Sequence, residues 1–251
     1  MTEPFDFDGA CGERLTGRIE RPADQAIGWA VLAHCLTCGK DSLASVHISR
    51  ALARRGIGVL RFDFAGIGAS EGDFAHTTFA GNVADIAAAG RAMTEAGISP
   101  TLLVGHSLGG AAVLSAADAM PNVRAVVTIA APADVDHVLE HLRPETLAAI
   151  ESDGEGEIRL GSRSFAVRKS FIDALRNTDL TACVASLKTP LLLLHSPRDE
   201  TVGIDNATRL FLAAKHPKSF VSLDDADHLL TDNNDAVFTA DLIAAWARRY
   251  L

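Results

Sequence analysis

Residues 105–110 constrain the fold of this chain more than any other feature. They read Gly-His-Ser-Leu-Gly-Gly, follow the aliphatic run 101–104 and precede the alanine-rich run 111–117. An aliphatic run that breaks at a glycine and resumes as an alanine-rich stretch predicts a strand, a sharp turn and a helix. Glycine suits such a turn because it carries no β-carbon. The helix would direct its positive N-terminal end at Ser107, where it would stabilise negative charge.

Apolar strands alternate with amphipathic helices along most of the remaining chain. Residues 4–8 and 13–20 come first and alternate polar with apolar side chains, which predicts two antiparallel strands joined by a turn at 9–12. Further strands are predicted at 29–33, 58–62, 102–104, 123–130, 190–194 and 219–223, and helices at 43–55, 79–96, 108–119, 203–215 and 235–250. This alternation predicts an α/β protein with a mostly parallel, eight-stranded sheet and helices on both faces.

The segment 133–186 breaks the alternation because it contains no strand-length run of aliphatic residues. Its pattern predicts a helix at 135–152, a polar hairpin at 157–167 that turns at Gly161-Ser162, and a helix at 169–177. We therefore expect a single domain over residues 1–251, with 133–186 inserted as a small cap.

Bulk properties exclude several classes of protein. The 251 residues are 48% apolar and 22% charged, as is ordinary for a globular domain. The net charge of −9 disfavours both nucleic acid and anionic lipid as partners. No run approaches the roughly 18 apolar residues that span a bilayer, so no membrane association is expected. The first residues lack a secretory signal and four cysteines are too few for a disulfide scaffold, which predicts a cytoplasmic, reduced protein.

A serine, a carboxylate and a histidine follow predicted strands in an order that resembles the α/β-hydrolases. Ser107 lies in G-x-S-x-G, Asp199 follows the strand at 190–194, and His228 follows the strand at 219–223. A serine hydroxyl is a poor nucleophile at neutral pH and needs a base. Histidine suits that task, and a carboxylate fixes its tautomer. We therefore predict Ser107, Asp199 and His228 as a catalytic triad.

Other polar residues near these positions have alternative interpretations. Glu200 adjoins Asp199 and is the rival acid, whereas Asp225 and Asp227 are expected to serve the turn before His228. His137 and His141 are four residues apart and could share a metal, but no further ligands lie near them in the sequence. We predict no metal and no cofactor, and an ordinary solvated face for this histidine pair.

The oxyanion hole of such a site requires two backbone N–H groups. The first is expected from Leu108, directly after the nucleophile. In hydrolases whose corresponding loop starts with His-Gly, the third residue supplies the second donor, and this resemblance implies Leu36 in the loop 34–41. Cys35 stands where that pattern has glycine. His106 is expected to pack behind the turn.

Cys35 and Cys38 form a C-x-x-C pattern within the same loop. The leading interpretation is that both are small, partly buried side chains that pack this loop. The alternative is a regulatory disulfide that distorts the oxyanion hole and switches activity off. A metal site is disfavoured because Cys11 and Cys183 show no comparable pairing.

Several longer strings narrow the resemblance to one group of hydrolases. The strings at 34–41, 61–68, 195–206 and 218–223, together with the turn around Ser107, resemble the hydrolase half of bacterial proteins that fuse an α/β-hydrolase to an OsmC-like domain. This resemblance covers nearly the whole chain and implies a carboxylesterase-like activity. The sequence ends at Leu251 without an OsmC segment, so OsmC thiol peroxidase chemistry is not expected.

The sequence thus predicts a serine hydrolase that cleaves small carboxylic esters with short to medium acyl groups. A thioesterase or an acyl-peptide hydrolase would use the same triad. A redox-responsive binding protein acting through Cys35 and Cys38 is the alternative from another class. The pattern leaves open a homo-oligomer.

Overall fold

The computed structural model describes residues 1–35, 38–160 and 163–251. Its strands are β1 (Thr2–Pro4), β2 (Phe7–Asp8), β3 (Arg14–Leu15), β4 (Gly17–Glu20), β5 (Gly28–Ala33), β6 (Ile57–Phe62), β7 (Leu102–His106), β8 (Ala125–Ile129), β9 (Glu155–Leu160), β10 (Arg163–Arg168), β11 (Leu191–His195) and β12 (Lys218–Ser222). Its α-helices are α1 (Leu43–Arg54), α2 (Phe79–Glu95), α3 (Leu108–Ala116), α4 (Pro144–Asp153), α5 (Lys169–Arg176), α6 (Leu180–Ser186), α7 (Asp205–Ala213) and α8 (Asn233–Ala247). Short 3₁₀ helices cover Phe74–His76, Ala117–Ala119 and Val135–His141.

Eight strands form the central sheet in the order β1-β4-β6-β5-β7-β8-β11-β12. The first two, β1 and β4, pair antiparallel, and β4 is also antiparallel to β6. The other six strands run parallel to one another. The predicted fold class is therefore confirmed. Because the carboxyl ends of parallel strands meet at one edge of the sheet, residues that follow β5, β7, β11 and β12 are brought together there.

Successive side chains of the buried strands point alternately into two hydrophobic cores, one on each face of the sheet. Val31 and Leu103 contribute to the face covered by α2, α3, α5 and α6, whereas Leu32 and Val104 contribute to the face covered by α1 and α8. Period-two alternation in strands that are buried on both sides produces this division. None of the helices in the described residues combines the length and apolar character needed to cross a bilayer.

The N-terminal region differs from its prediction. Instead of two strands at 4–8 and 13–20, it forms four short ones, of which β2 and β3 pair outside the main sheet. The second predicted strand breaks at Thr16, whose backbone N–H donates to Ser70 Oγ at 2.9 Å rather than to a neighbouring strand. Phe7 and Leu15 face each other across the β2–β3 pair and are both buried, which keeps the small hairpin against the core.

The inserted segment also departs from prediction in one helix. The single helix predicted at 135–152 is a 3₁₀ helix, Val135–His141, followed by the separate helix α4. Pro144 causes this break because the residue before a proline avoids the α conformation, and Arg143 is extended. Strands β9 and β10 form the predicted hairpin, while its Gly161-Ser162 turn lies outside the described residues. Helix α6 was not predicted.

Candidate active site

Ser107 lies in the sharp turn between β7 and α3. Its backbone has φ 55° and ψ −124°, a conformation that non-glycine residues rarely adopt. Its flanking glycines are required by close packing. A β-carbon at Gly105 would lie 2.3 Å from the carbonyl oxygen of Gly109, and one at Gly109 would lie 2.4 Å from that of Ala33. The turn therefore holds the serine hydroxyl out at the carboxyl edge of the sheet, and the strain marks a functional position.

The structure brings Ser107, His228 and Asp199 into one hydrogen-bonded line. The Ser107 hydroxyl lies 3.0 Å from Nε2 of His228, and Nδ1–H of the same ring donates to Oδ2 of Asp199 at 2.7 Å. Residues 107 and 228 are 121 positions apart in the chain. The three groups have the geometry in which a histidine accepts a serine proton while a carboxylate stabilises the resulting cation.

Asp199 is held in place by more than His228. Its Oδ1 accepts the backbone N–H groups of Thr201 at 2.9 Å and Val202 at 2.8 Å. Burial would by itself raise the pKa of Asp199, but the hydrogen bonds from His228 and from these two amides outweigh it and lower the pKa. The carboxylate is therefore ionised at neutral pH and can stabilise an imidazolium.

The rival carboxylates take other partners or face solvent. Glu200 is exposed, whereas Asp199 beside it is buried. Asp225 pairs with Arg198 at 2.9 Å on the surface. Asp227 accepts the backbone N–H of Thr231 at 2.9 Å and also its hydroxyl, as expected of a turn residue.

Three buried histidines surround this line, and no role in it was predicted for them from the sequence. His195 Nε2–H donates to the carbonyl of Val202 at 2.8 Å, which braces the loop that carries Asp199. His34 Nδ1–H donates to the carbonyl of Cys35 at 2.6 Å. His106 Nε2–H donates to the carbonyl of His228 at 2.7 Å. Burial is the largest cause that lowers the pKa of each ring, so all three are neutral. Each of the three ends or directly follows a parallel strand, and this position is the sequence signal that could have identified them.

The two expected oxyanion donors differ in what can be said of them. Leu108 is the first residue of α3, so its N–H has no acceptor within the helix and remains available beside Ser107. Leu36 lies outside the described residues, so its role stays a prediction.

Cys35 and Cys38 form a disulfide, with their Cα atoms 5.3 Å apart. The expectation of a reduced pair that merely packs the loop is therefore wrong. A turn in which Cys38 N–H donates to the Cys35 carbonyl at 3.1 Å brings the two side chains together. Cys35 is buried and Cys38 is half-buried, whereas Cys11 and Cys183 are free thiols.

A buried ionic network fixes the far end of the same loop. The carboxylate of Asp63 accepts both the backbone N–H and the Nζ ammonium of Lys40, each at 2.6 Å. Arg61 donates to the Lys40 carbonyl at 2.6 Å and to Glu20 at 3.1 Å. All four side chains are buried, and each charge has an opposite partner, which is the condition under which buried charges are tolerated.

The inserted segment is attached to the loops at the carboxyl edge. His137 Nε2–H donates to the carbonyl of Thr201 at 2.8 Å, two residues from Asp199. Arg209 binds both oxygens of Asp134 at 2.6 and 2.9 Å. Phe165 of the hairpin packs against Phe74, with ring centroids 4.6 Å apart and the rings tilted by 47°. Among the described residues no cluster of three potential metal ligands occurs.

Comparison with known proteins agrees with this architecture. The chain matches the family model described as "Alpha/beta hydrolase family" over residues 30–240. The crystal structure of the esterase domain of a Rhodothermus marinus protein is 47% identical, with a TM-score of 0.82, and the match covers 100% of this chain and 99% of that one. Est1E from Butyrivibrio proteoclasticus, solved with ferulic acid, is 17% identical with a TM-score of 0.83, over 97% of this chain and 98% of that one. At that identity the likeness concerns the fold alone.

A curated relative carries a different activity name. Mitochondrial palmitoyl-protein thioesterase ABHD10 of Mus musculus is 32% identical over 167 residues. These residues make up 64% of this chain but only 55% of that protein, so the match spans little more than half of the relative's length.

Proposed function

Because the chain belongs to the α/β hydrolase family, we propose that it is a serine hydrolase that cleaves carboxylic esters. The observation that carries this proposal is the hydrogen-bonded line from the Ser107 hydroxyl through His228 to Asp199. The similarity to an esterase domain at 47% identity supports the ester class.

The proposed reaction proceeds through an acyl-enzyme. His228 takes the proton of Ser107 as the serine oxygen attacks the ester carbonyl, and Asp199 stabilises the imidazolium. The N–H groups of Leu108 and Leu36 stabilise the oxyanion, a contribution of roughly 10²- to 10³-fold in rate for one donor in a comparable hole. His228 then protonates the departing alcohol. It next activates a water that releases the acid and regenerates Ser107.

The inserted segment 133–186 is proposed as a cap that limits the acyl group. The contact from His137 to Thr201, two residues from Asp199, supports a position beside the site, and Asp134 binds Arg209 on α7. Because the segment is short, we propose short to medium acyl chains as substrates. Three expectations stay predictions: that no cofactor is required, that a homo-oligomer is possible, and that the protein is cytoplasmic.

A thioesterase activity is the second candidate, and the similarity to a palmitoyl-protein thioesterase favours it. The same three groups would act. A thiol, with a pKa of about 8.5, leaves more readily than an alcohol and depends less on protonation by His228. Acyl-peptide hydrolysis has no comparable support.

Hydrolysis of matched esters and thioesters tests the proposal. We would measure kcat/KM for p-nitrophenyl esters with acyl chains of two to sixteen carbons, and for thioesters of the same acids, with Ser107→Ala as the control. The proposal predicts an optimum among the shorter esters and loss of turnover in the variant. Exclusive turnover of long-chain thioesters would favour the second candidate, and undiminished turnover by Ser107→Ala would refute both.

A further inference from the structure

His106 connects the candidate nucleophile to the main chain of the candidate base. It is the last residue of β7 and directly precedes Ser107. Its imidazole is buried, and its ring centroid lies 5.4 Å from that of His228. Its Nε2 lies 2.7 Å from the carbonyl oxygen of His228. A carbonyl only accepts hydrogen bonds, so the proton of His106 must lie on Nε2.

The environment of His106 keeps this donor neutral. Burial, followed by repulsion from His228, lowers the pKa of His106 to about 4. The ring therefore carries one proton throughout the neutral range, and the carbonyl of His228 determines on which nitrogen it lies. A neutral ring also avoids placing a second positive charge beside His228 when that side chain becomes protonated during the proposed reaction.

The other hydrogen bonds near His228 hold its loop mostly to itself. Ser196 Oγ–H donates to the carbonyl of Asp224 at 3.0 Å, and Thr231 N–H donates to the carboxylate of Asp227. The first contact lies four residues from position 228, and the second, at the neighbouring residue 227, joins the loop only to itself. Across the described residues, the His228 carbonyl receives its hydrogen bond from His106.

The base is thus held at two points. Asp199 holds its side chain through Nδ1, and His106 holds its main chain. The second contact starts one residue from the serine that the base must reach.

We infer that His106 is a positioning residue that sets the reach of the His228 imidazole to the Ser107 hydroxyl. This inference rests on the proposed function, because it assigns His106 a task within the same site. A side chain that only filled space behind the turn would be replaced without loss by any ring of similar size. A positioning residue requires an N–H at the place of Nε2.

Three substitutions separate these two roles. His106→Gln keeps an amide N–H close to the place of Nε2, His106→Asn places its amide nearer the place of Nδ1, and His106→Phe keeps a ring without a donor. Misplacing a reacting group by about 1 Å can cost about 10²-fold in rate. We expect kcat to fall about 10- to 100-fold in the Asn and Phe variants with KM little changed, and the Gln variant to retain most of the wild-type kcat.

A control variant accounts for loss of stability. Met93→Ala opens the core at the far end of α2, where the Met93 carbonyl accepts the N–H of Ile98 ahead of β7. It should lower Tm as much as the His106 variants do, yet leave kcat unchanged. Equal kcat losses in His106→Gln, His106→Asn and His106→Phe would assign His106 a packing role and overturn the inference. Wild-type kcat in His106→Phe would also overturn it.

Two readouts do not depend on the substrate. The rate of fluorophosphonate labelling reports the reactivity of Ser107, and the downfield proton resonance of His228 Nδ1–H reports its alignment with Asp199. Both should be disturbed in His106→Asn and His106→Phe and preserved in His106→Gln. Labelling without ester turnover would refute the proposed ester substrate alone, and the labelling rates would still decide the role of His106. If wild-type protein is not labelled, an identical His228 resonance in all variants would overturn the inference.

Discussion

Replacing Asp199 by asparagine tests how the site fixes the proton on His228. In the wild type, Oδ2 accepts Nδ1–H of His228, and Oδ1 accepts the N–H groups of Thr201 and Val202. An asparagine has one acceptor and one donor end. If its oxygen faced His228, its NH₂ would oppose two backbone donors. The favoured arrangement therefore keeps the oxygen on the amides and turns the NH₂ toward His228.

That arrangement moves the imidazole proton of His228 from Nδ1 to Nε2. Facing an NH₂, Nδ1 of His228 must accept, so the ring proton moves to Nε2, 3.0 Å from the Ser107 oxygen. The ring then donates to the hydroxyl instead of taking its proton. The same change in a serine protease triad lowers kcat by about 10⁴-fold, which corresponds to about 5.4 kcal/mol of transition-state stabilisation. We expect a loss of this size for Asp199→Asn, with KM little changed.

The assay is steady-state hydrolysis of the best ester substrate. Asp225→Asn is the matched control, because Asp225 is an exposed carboxylate that pairs with Arg198. It should retain wild-type kcat. If Asp199→Asn kept more than a tenth of wild-type activity, another carboxylate, with Glu200 the first to test, would have to orient the base, and the reasoning would fail.

Three further predictions concern stability and the oxyanion loop. The folded pKa of Asp199 is lowered from the ordinary value of 3.8, so its contribution to stability is present above that pH and is lost as the pH falls through the folded pKa. Urea unfolding should therefore show the difference in free energy of unfolding between wild type and Asp199→Asn becoming smaller below about pH 4. A difference that grows in acid would contradict this. Asp63→Asn removes the buried carboxylate that binds the Lys40 ammonium at 2.6 Å and leaves that ammonium with the exposed Asp41 at 3.7 Å, so it should cost about 3–5 kcal/mol of unfolding free energy. The double variant Lys40→Met/Asp63→Asn should recover part of this cost, because the amide oxygen still accepts the Lys40 backbone N–H. A cost below about 1 kcal/mol for Asp63→Asn would contradict the network. Reducing the Cys35–Cys38 disulfide with a phosphine removes the covalent link across the loop that carries Leu36, the expected second oxyanion donor. This should lower kcat by up to about 10²-fold with little change in KM. An unchanged or higher kcat after reduction would contradict a supporting role for the disulfide.

The sequence predicted the sheet well because its strands are buried on both faces. Such strands appear as continuous aliphatic runs, as at 190–194, and few other structures produce that pattern. The residues Ser107, Asp199 and His228 could be selected for a related reason. Each follows a predicted strand, and parallel strands bring their carboxyl ends together at one edge.

What the sequence did not predict depends on contacts between distant segments. The break at Thr16 follows from a hydrogen bond to Ser70, 54 positions away. His106 was expected to pack behind the turn, and its contact with the His228 carbonyl spans 122 positions. Cys35 and Cys38 form a C-x-x-C pattern, but this spacing is compatible both with two free thiols and with a disulfide. The turn geometry that decides between them is not encoded in spacing alone.

Peptide mapping after fluorophosphonate treatment tests the central claim most directly. We expect one stoichiometric adduct, located by mass spectrometry on Ser107, and its loss in Ser107→Ala with the fold intact. An adduct on another residue, or equal labelling of the Ser107→Ala variant, would contradict Ser107 as the nucleophile and the mechanism built on it.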